Sequence, residues 1–252
     1  MKTQISQTAD DLAADAADFF IAEAQKAIEA RGRFTVALAG GSTPKKTYAL
    51  LAQPGRSGQV DWAKTFVFFG DERFGDIDSP NSNYGMARQA MLDHVPIPKA
   101  NIFPMPTGDN PDEDAAADQY IETLAKFFDV PSKGLPPRFD LILLGLGDDG
   151  HTASLFPDAA SLAVTDAWVV ATPPGTLPPP VDRLTFTFPS INAARNVAFL
   201  VSGTKKAATV AEVLAGKRGR EAHPSEGVQP YDGTLTWLLD SDAAQQIGEG
   251  EH

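Results

Sequence analysis

The sequence predicts an α/β fold, a mostly parallel sheet with helices on both faces, organised as one domain over residues 1–252. Three observations lead there. Apolar runs such as those at 34–39 and 66–69 are too continuous for strands with one wet face. Segments of helical periodicity separate these runs. Several strand candidates also run directly into a polar or glycine-rich cluster, and in open parallel sheets ligands bind beyond the carboxyl ends of the strands.

Taken in order, Thr8 and Asp11 resemble a capping box, and Leu12, Phe19, Phe20, Ala27 and Ile28 recur at helical spacing. A helix over 8–30 follows from this, broken by Gly32. The polar N-terminal residues lead into that helix. The strand at 34–39 enters Gly40-Gly41-Ser42-Thr43-Pro44, where Thr43 suits an N-cap and Pro44 a first helical position for a helix through Leu51. The run 66–69 ends in Gly70-Asp71-Glu72-Arg73, and 83–95 reads as helix. Breakers at 104–112 and 131–137 bracket a helix over 113–128. The strand at 139–144 then meets Gly147-Asp148-Asp149-Gly150-His151. Strand candidates at 168–171 and 184–188 flank a proline-rich loop at 173–180. A strand at 197–201 precedes Ser202-Gly203 and a helix over 205–214, and 235–239 is a last apolar run before a polar, frayed tail. There is no internal repeat.

Composition narrows the function classes. With a net charge of −12 and one short basic cluster, Lys217, Arg218 and Arg220, the chain does not read as a nucleic-acid binder. That cluster reads as a solvated loop after a helix. The absence of cysteine excludes disulfides, cysteine-ligated zinc and a cysteine nucleophile, and fits a reducing cytoplasm. No apolar run approaches the roughly 20 residues that span a bilayer, so no membrane association is expected. In so acidic a chain, an anion site must gather its few cations, which makes each arginine and lysine position informative.

Four clusters carry candidate chemistry. Gly40, Gly41, Ser42 and Thr43 combine close backbone approach with the free N–H groups of a helix start, or form a plain strand-to-helix turn. Arg73 can bind phosphate through its fork of donors with Asp71 or Glu72 holding the guanidinium, or the triplet is a solvated turn. Asn83 adds a polar contact just downstream. His151 alone of the four histidines follows a glycine-rich turn after a buried strand; His94 sits near a helix C-terminus, His223 in a polar loop, and His252 at the end. An imidazole there suits a general base, with Asp149 fixing its tautomer, or else His151 caps a following helix. Ser202-Gly203-Thr204-Lys205-Lys206 is the fourth cluster, with one lysine as a phosphate counter-charge or as a solvated lysine at a helix start.

These strings together resemble the 6-phosphogluconolactonase family. The resemblance rests on 39–44, 70–73, Ser82-Asn83, and Gly145 through Pro157, within which His151-Thr152-Ala153-Ser154-Leu155-Phe156-Pro157 is the most specific part. Arg183-Leu184-Thr185-Phe186-Thr187, Ile191-Asn192-Ala193-Ala194, Val201-Ser202-Gly203 with Lys206, and Gly233-Thr234-Leu235-Thr236-Trp237 extend it over nearly the whole chain in order. It implies a Rossmann-like fold shared with glucosamine-6-phosphate deaminases and ribose-5-phosphate isomerases. It also implies hydrolysis of 6-phosphoglucono-δ-lactone in the pentose phosphate pathway, without metal or organic cofactor. By resemblance, His151 activates water with Asp149 in support, and Arg73 and Lys206 hold the phosphate with the 40–43 loop. Asp71, Asn83 and Arg183 join the candidate set, and backbone N–H groups near Gly150 are candidates for the oxyanion. A small sugar-phosphate lactone is the expected partner of a monomer or small homo-oligomer.

The chain departs from the family pattern where Gly147-Asp148-Asp149 stands for a frequent Gly-Glu-Asp. The adjacent Lys205 and Lys206 leave the phosphate contact ambiguous by one position, and register favours Lys206. Glucosamine-6-phosphate deaminases share two of the loops but typically continue Ile-Ala-Phe-Asn-Glu-Pro after the histidine and favour Asp-Glu-Tyr at 71–73. A non-catalytic sugar-phosphate sensor is a further alternative, against which the retention of both Asp149 and His151 argues.

Overall fold

The computed structural model describes residues 1–79, 81–108, 112–175 and 180–248. The elements run β1 (Lys2–Ser6), α1 (Ala9–Arg31), β2 (Phe34–Leu38), α2 (Ser42–Leu51), α3 (Pro54–Ser57), β3 (Thr65–Phe69), β4 (Asp71–Arg73), α4 (Asn83–Ala87) and α5 (Glu113–Phe128). Then follow β5 (Leu141–Leu144), β6 (Val169–Thr172), β7 (Arg183–Phe186), α6 (Phe188–Asn192), β8 (Asn196–Val201), α7 (Ala207–Ala215), β9 (Thr234–Asp240) and α8 (Ser241–Ala244).

The main sheet has six strands in the order β1-β9-β8-β5-β2-β3, and every pairing in it is parallel. Every residue of β2 and β5 is buried, which is why those segments read as unbroken apolar runs. Helices cover both faces. In register, Phe34 and Leu38 of β2 share a face with Thr65 and Phe69 of β3. On that side Phe20 of α1 meets Phe34 edge-on at 5.2 Å, and Tyr84 of α4 meets Phe69 at 5.7 Å. The alternate residues Phe66 and Phe68 point the other way, onto Phe127 of α5 at 4.9 and 5.1 Å. Phe68 also touches Phe103, Phe128 and Phe139. Truncating such a buried ring to alanine costs about 3–5 kcal/mol.

Three expectations need correction. Strand candidates at 168–171 and 184–188 do not extend the parallel sheet. With the charged triplet 71–73 they form a separate antiparallel sheet, β4-β7-β6. The N-terminal residues do not simply lead into a helix, because Lys2–Ser6 pairs with β9 at the sheet edge. Thr43 is not the cap of α2. Gly41, at φ +102, turns the chain so that Ser42 already opens the helix, and Pro44 still falls in the first turn, where its missing donor costs nothing.

Elsewhere local signals determine the ends. The Thr8 side chain accepts from Asp11 N at 3.1 Å and donates to the Asp11 carboxylate at 2.7 Å, and Gly32 closes α1 at φ +75. The segment read as one helix over 83–95 is α4 followed by a π-helical turn, Arg88–Leu92. The helix expected over 205–214 begins with a 3-10 turn, Thr204–Lys206, before α7. Among the described residues no helix is long and apolar enough to cross a membrane. His252, parts of the loops at 104–112 and 173–180, and the end of the tail lie outside the described residues.

Candidate active site

The loops after β2, β5 and β8 converge with β4 on a cavity of about 270 Å³. Gly40, Gly41, Ser42, Thr43, Asp71, Arg73, Asn83, His151, Arg183 and Lys206 all line it. Asp149 and Gly150 stand outside this lining. Lys206 reaches the cavity while Lys205 is exposed to solvent.

One wall is the loop after β5. Gly147 N donates to His151 O at 2.8 Å and Gly150 N to Gly147 O at 3.1 Å, so the loop closes on itself. Asp149 Oδ1 lies 2.6 Å from His151 Nδ1 and also accepts from His151 N at 3.1 Å. A side chain at Gly147 would place Cβ 2.0 Å from His151 Nδ1, so the pair lies directly over that backbone. Burial pushes the Asp149 carboxyl up, but the hydrogen bond and charge of His151 override this and hold it at about 2. No helix follows His151 directly; a turn does, and Thr152 Oγ1 fastens it to Gly145 O at 2.9 Å. The ring of His151 packs on Phe156, with centroids 4.8 Å apart.

The opposite wall comes from the small sheet. Antiparallel pairing sets Arg73 directly across from Arg183, two like charges that an anion between them would relieve. Arg73 Nη1 donates to Asn81 O at 2.7 Å and Asn83 Oδ1 at 2.9 Å. The guanidinium is thus held by neutral oxygens rather than by the carboxylates of Asp71 or Glu72. Asp71 instead accepts from Asn83 Nδ2 at 3.0 Å and Ser154 Oγ at 2.7 Å. Glu72 turns inward and accepts from Arg73 N, Asn83 N, Tyr84 N and Ser82 Oγ, each at 2.8–2.9 Å. Its burial raises the carboxyl above its ordinary range, against the pull of those four donors. Arg183 is buried and lies 5.3 Å over the Phe156 ring. Burial lowers its guanidinium, and the charge of Arg73 adds to this.

Between the walls, Thr43 Oγ1 and Ser202 Oγ share a 2.8 Å hydrogen bond that ties the start of α2 to the loop after β8. Lys206 Nζ pairs with Asp148 Oδ1 at 2.5 Å. Gly40 has to be glycine, since a Cβ there would sit 1.9 Å from Asn83 Oδ1.

Sequence reasoning missed several supporting residues. His223, read as part of a polar loop, is buried, and its ring lies where a Cβ on Gly150 would go, 2.6 Å away. Its two ring nitrogens stand 3.3 Å from Glu212 and Glu226. Asp240 accepts from Gly203 N at 3.0 Å and so holds the loop carrying Lys206. The packing of His223 on Gly150 and the bond from Gly203 to Asp240 have no local sequence signal, because each joins segments far apart in the chain. The two adjacent carboxylates divide: Asp149 serves His151, and Asp148 faces Lys206.

Comparison with known proteins agrees in extent with this architecture. The family model described as glucosamine-6-phosphate isomerases/6-phosphogluconolactonase matches residues 7–237. A 6-phosphogluconolactonase of Synechocystis is 48% identical over 88% of this chain and 88% of its own. One from Nostoc is 43% identical over 94% of each. The solved structure of 6-phosphogluconolactonase from Trypanosoma brucei superposes with a TM-score of 0.84 at 31% identity, covering 98% of both chains. On this evidence the chain belongs to the glucosamine-6-phosphate isomerase/6-phosphogluconolactonase family.

Proposed function

We propose that this chain hydrolyses 6-phosphoglucono-δ-lactone to 6-phosphogluconate, as a cytoplasmic enzyme of the pentose phosphate pathway that needs no metal or organic cofactor. The observation that carries the reading is the Asp149–His151 pair on one wall of a cavity whose other walls present Arg73, Arg183 and Lys206. The names of the relatives support the substrate.

With Nδ1–H committed to the Asp149 carboxylate, His151 carries its lone pair on Nε2. Water attacks the lactone carbonyl carbon as Nε2 takes its proton. Asp149, ionised at neutral pH, stabilises the imidazolium that forms. The tetrahedral intermediate collapses, the bond from C1 to the ring oxygen breaks, and His151 returns the proton to that oxygen. The new carboxylic acid then loses its proton to solvent. The lactone is an activated ester, so no serine or cysteine nucleophile is required.

The phosphate sits with Arg73 and Lys206 at the start of α2, whose first N–H groups and hydroxyls at Ser42 and Thr43 suit an anion. Its binding energy then orients a ring whose reacting carbon is remote from it. Asn83, itself fixed by Asp71, keeps Arg73 in place, and Gly150 shapes the turn that presents His151. The test is to add the protein to freshly generated 6-phosphogluconolactone and follow acid release. A rate equal to spontaneous hydrolysis rejects the proposal; ammonia release from glucosamine 6-phosphate would favour the deaminase alternative.

A further inference from the structure

The far end of the main sheet carries a second gathering of cations. Arg31 and Arg33 flank the turn into β2, Arg138 lies just before β5, and Arg195 immediately precedes β8. These strands are neighbours in the order β8-β5-β2, so their amino ends bring four guanidinium groups to one edge. There the arginines line a separate cavity of about 340 Å³, walled on its apolar side by Phe128, Val130 and the exposed Leu135. The length of β2, roughly 17 Å, separates it from the cavity around His151.

The charge at this edge is not balanced from within. Asp140 is the buried carboxylate, and it is already engaged: it accepts from Arg31 Nε at 2.8 Å and from Thr35 N and Oγ1 at 2.9 Å each, and stands 3.5 Å from Arg195 Nε. Arg138 Nη2 meets the exposed Asp232 at 2.6 Å, while its Nε is buried without a hydrogen-bond partner. Among the described residues, two carboxylates therefore face four guanidinium groups. Arg33 spreads over the rings of Phe127 and Phe128 at 4.9 and 5.5 Å, which fixes its plane. Burial lowers the Arg195 guanidinium, and its neighbours Arg138 and Arg31 add to the effect. In a protein of net charge −12, such a local surplus marks a place for an anion rather than a general field.

We propose that this cavity binds a small organic molecule through a multiply charged phosphate-class group, at a site distinct from the one around His151. Planar guanidinium forks match tetrahedral oxyanions in bidentate fashion. The apolar wall takes the uncharged part of the ligand, and the volume lies in the range of roughly 300–1,000 Å³ usual for small-molecule sites.

Inorganic pyrophosphate is the probe, titrated calorimetrically into Arg73→Ala/Lys206→Ala protein so that the first cavity does not contribute. One binding event should remain, and adding Arg33→Ala and Arg138→Ala should weaken it at least tenfold. Asp232→Asn, which frees Arg138 from its competing carboxylate, should tighten it severalfold. Absence of binding, or affinity indifferent to Arg33, Arg138 and Asp232, overturns the proposal. Arg33→Ala/Arg138→Ala in the otherwise native chain should keep parental lactone turnover, so this site and the proposed activity succeed or fail separately.

Discussion

The wall of the active-site cavity that carries His151 is made within the single loop 147–151, whereas the wall that carries Arg73 is assembled from segments far apart in the chain. In the first, Asp149 and His151 are two residues apart, and the loop closes on its own backbone hydrogen bonds. In the second, Glu72 fastens Ser82, Asn83 and Tyr84, Asp71 reaches Ser154, and Arg183 arrives by strand pairing. The first wall needs only a correct turn, while the second needs the small sheet to form. A defect in one should therefore strike chemistry, and a defect in the other should strike binding and stability.

The sharpest way to break this contrast is kinetic. His151→Ala should lower kcat by roughly 10²–10⁴-fold with KM within a few-fold of the parent. Arg73→Ala should raise KM roughly ten- to a hundredfold, as expected for one lost charge-assisted contact of about 1.5–3 kcal/mol, and spare kcat. Steady-state assays on both variants decide it; a KM defect in the first or an unaltered KM in the second erases the division.

Next in size is the loss of a buried anchor. Glu72→Gln replaces an acceptor oxygen by a donor among four groups that all donate, and should cost about 2–4 kcal/mol in urea unfolding, with a rise in KM through Arg73. A variant as stable as the parent would show that the second wall does not depend on this carboxylate.

The smallest effect concerns acid. Asp149 titrates at about 2, below its ordinary value of 3.8, so its contribution is complete above that ordinary value and is lost as the pH falls through about 2. It amounts to about 2 kcal/mol at most. Unfolding free energies measured from pH 5 to 2 should fall less steeply in Asp149→Asn than in the parent, and parallel curves would remove the ion pair from the account.

The same division explains what could be read from sequence. The main-sheet strands other than β1, α1 with Thr8 and Gly32, and the Gly147–His151 loop are signalled by neighbours in the chain, so periodicity and turn chemistry expose them. Asp71–Arg73 looks like a charged turn because a three-residue strand has no period to detect, and its partner lies at 183–185. β1 is mostly exposed and polar, an edge strand without an apolar run. His223 lies buried where Gly150 leaves room for its ring, a fit between residues distant in the chain. Thr43 was displaced from its cap by the positive φ of Gly41, a backbone choice that residue type alone permits but does not demand.

The pairing of β1 with β9 has a consequence for how the molecule is made. β9 lies between β1 and β8, so Lys2 meets its neighbour Thr236 only after synthesis has passed residue 236. At about 5–20 residues per second, the first strand waits on the order of ten to fifty seconds without its partner. Once residues 196–201 have been made, β8 too keeps a bare edge until β9 arrives. Synthesis must therefore reach β9 before the sheet can close, and a chain that stalls between residues 201 and 234 leaves both β1 and β8 open to pairing with strangers.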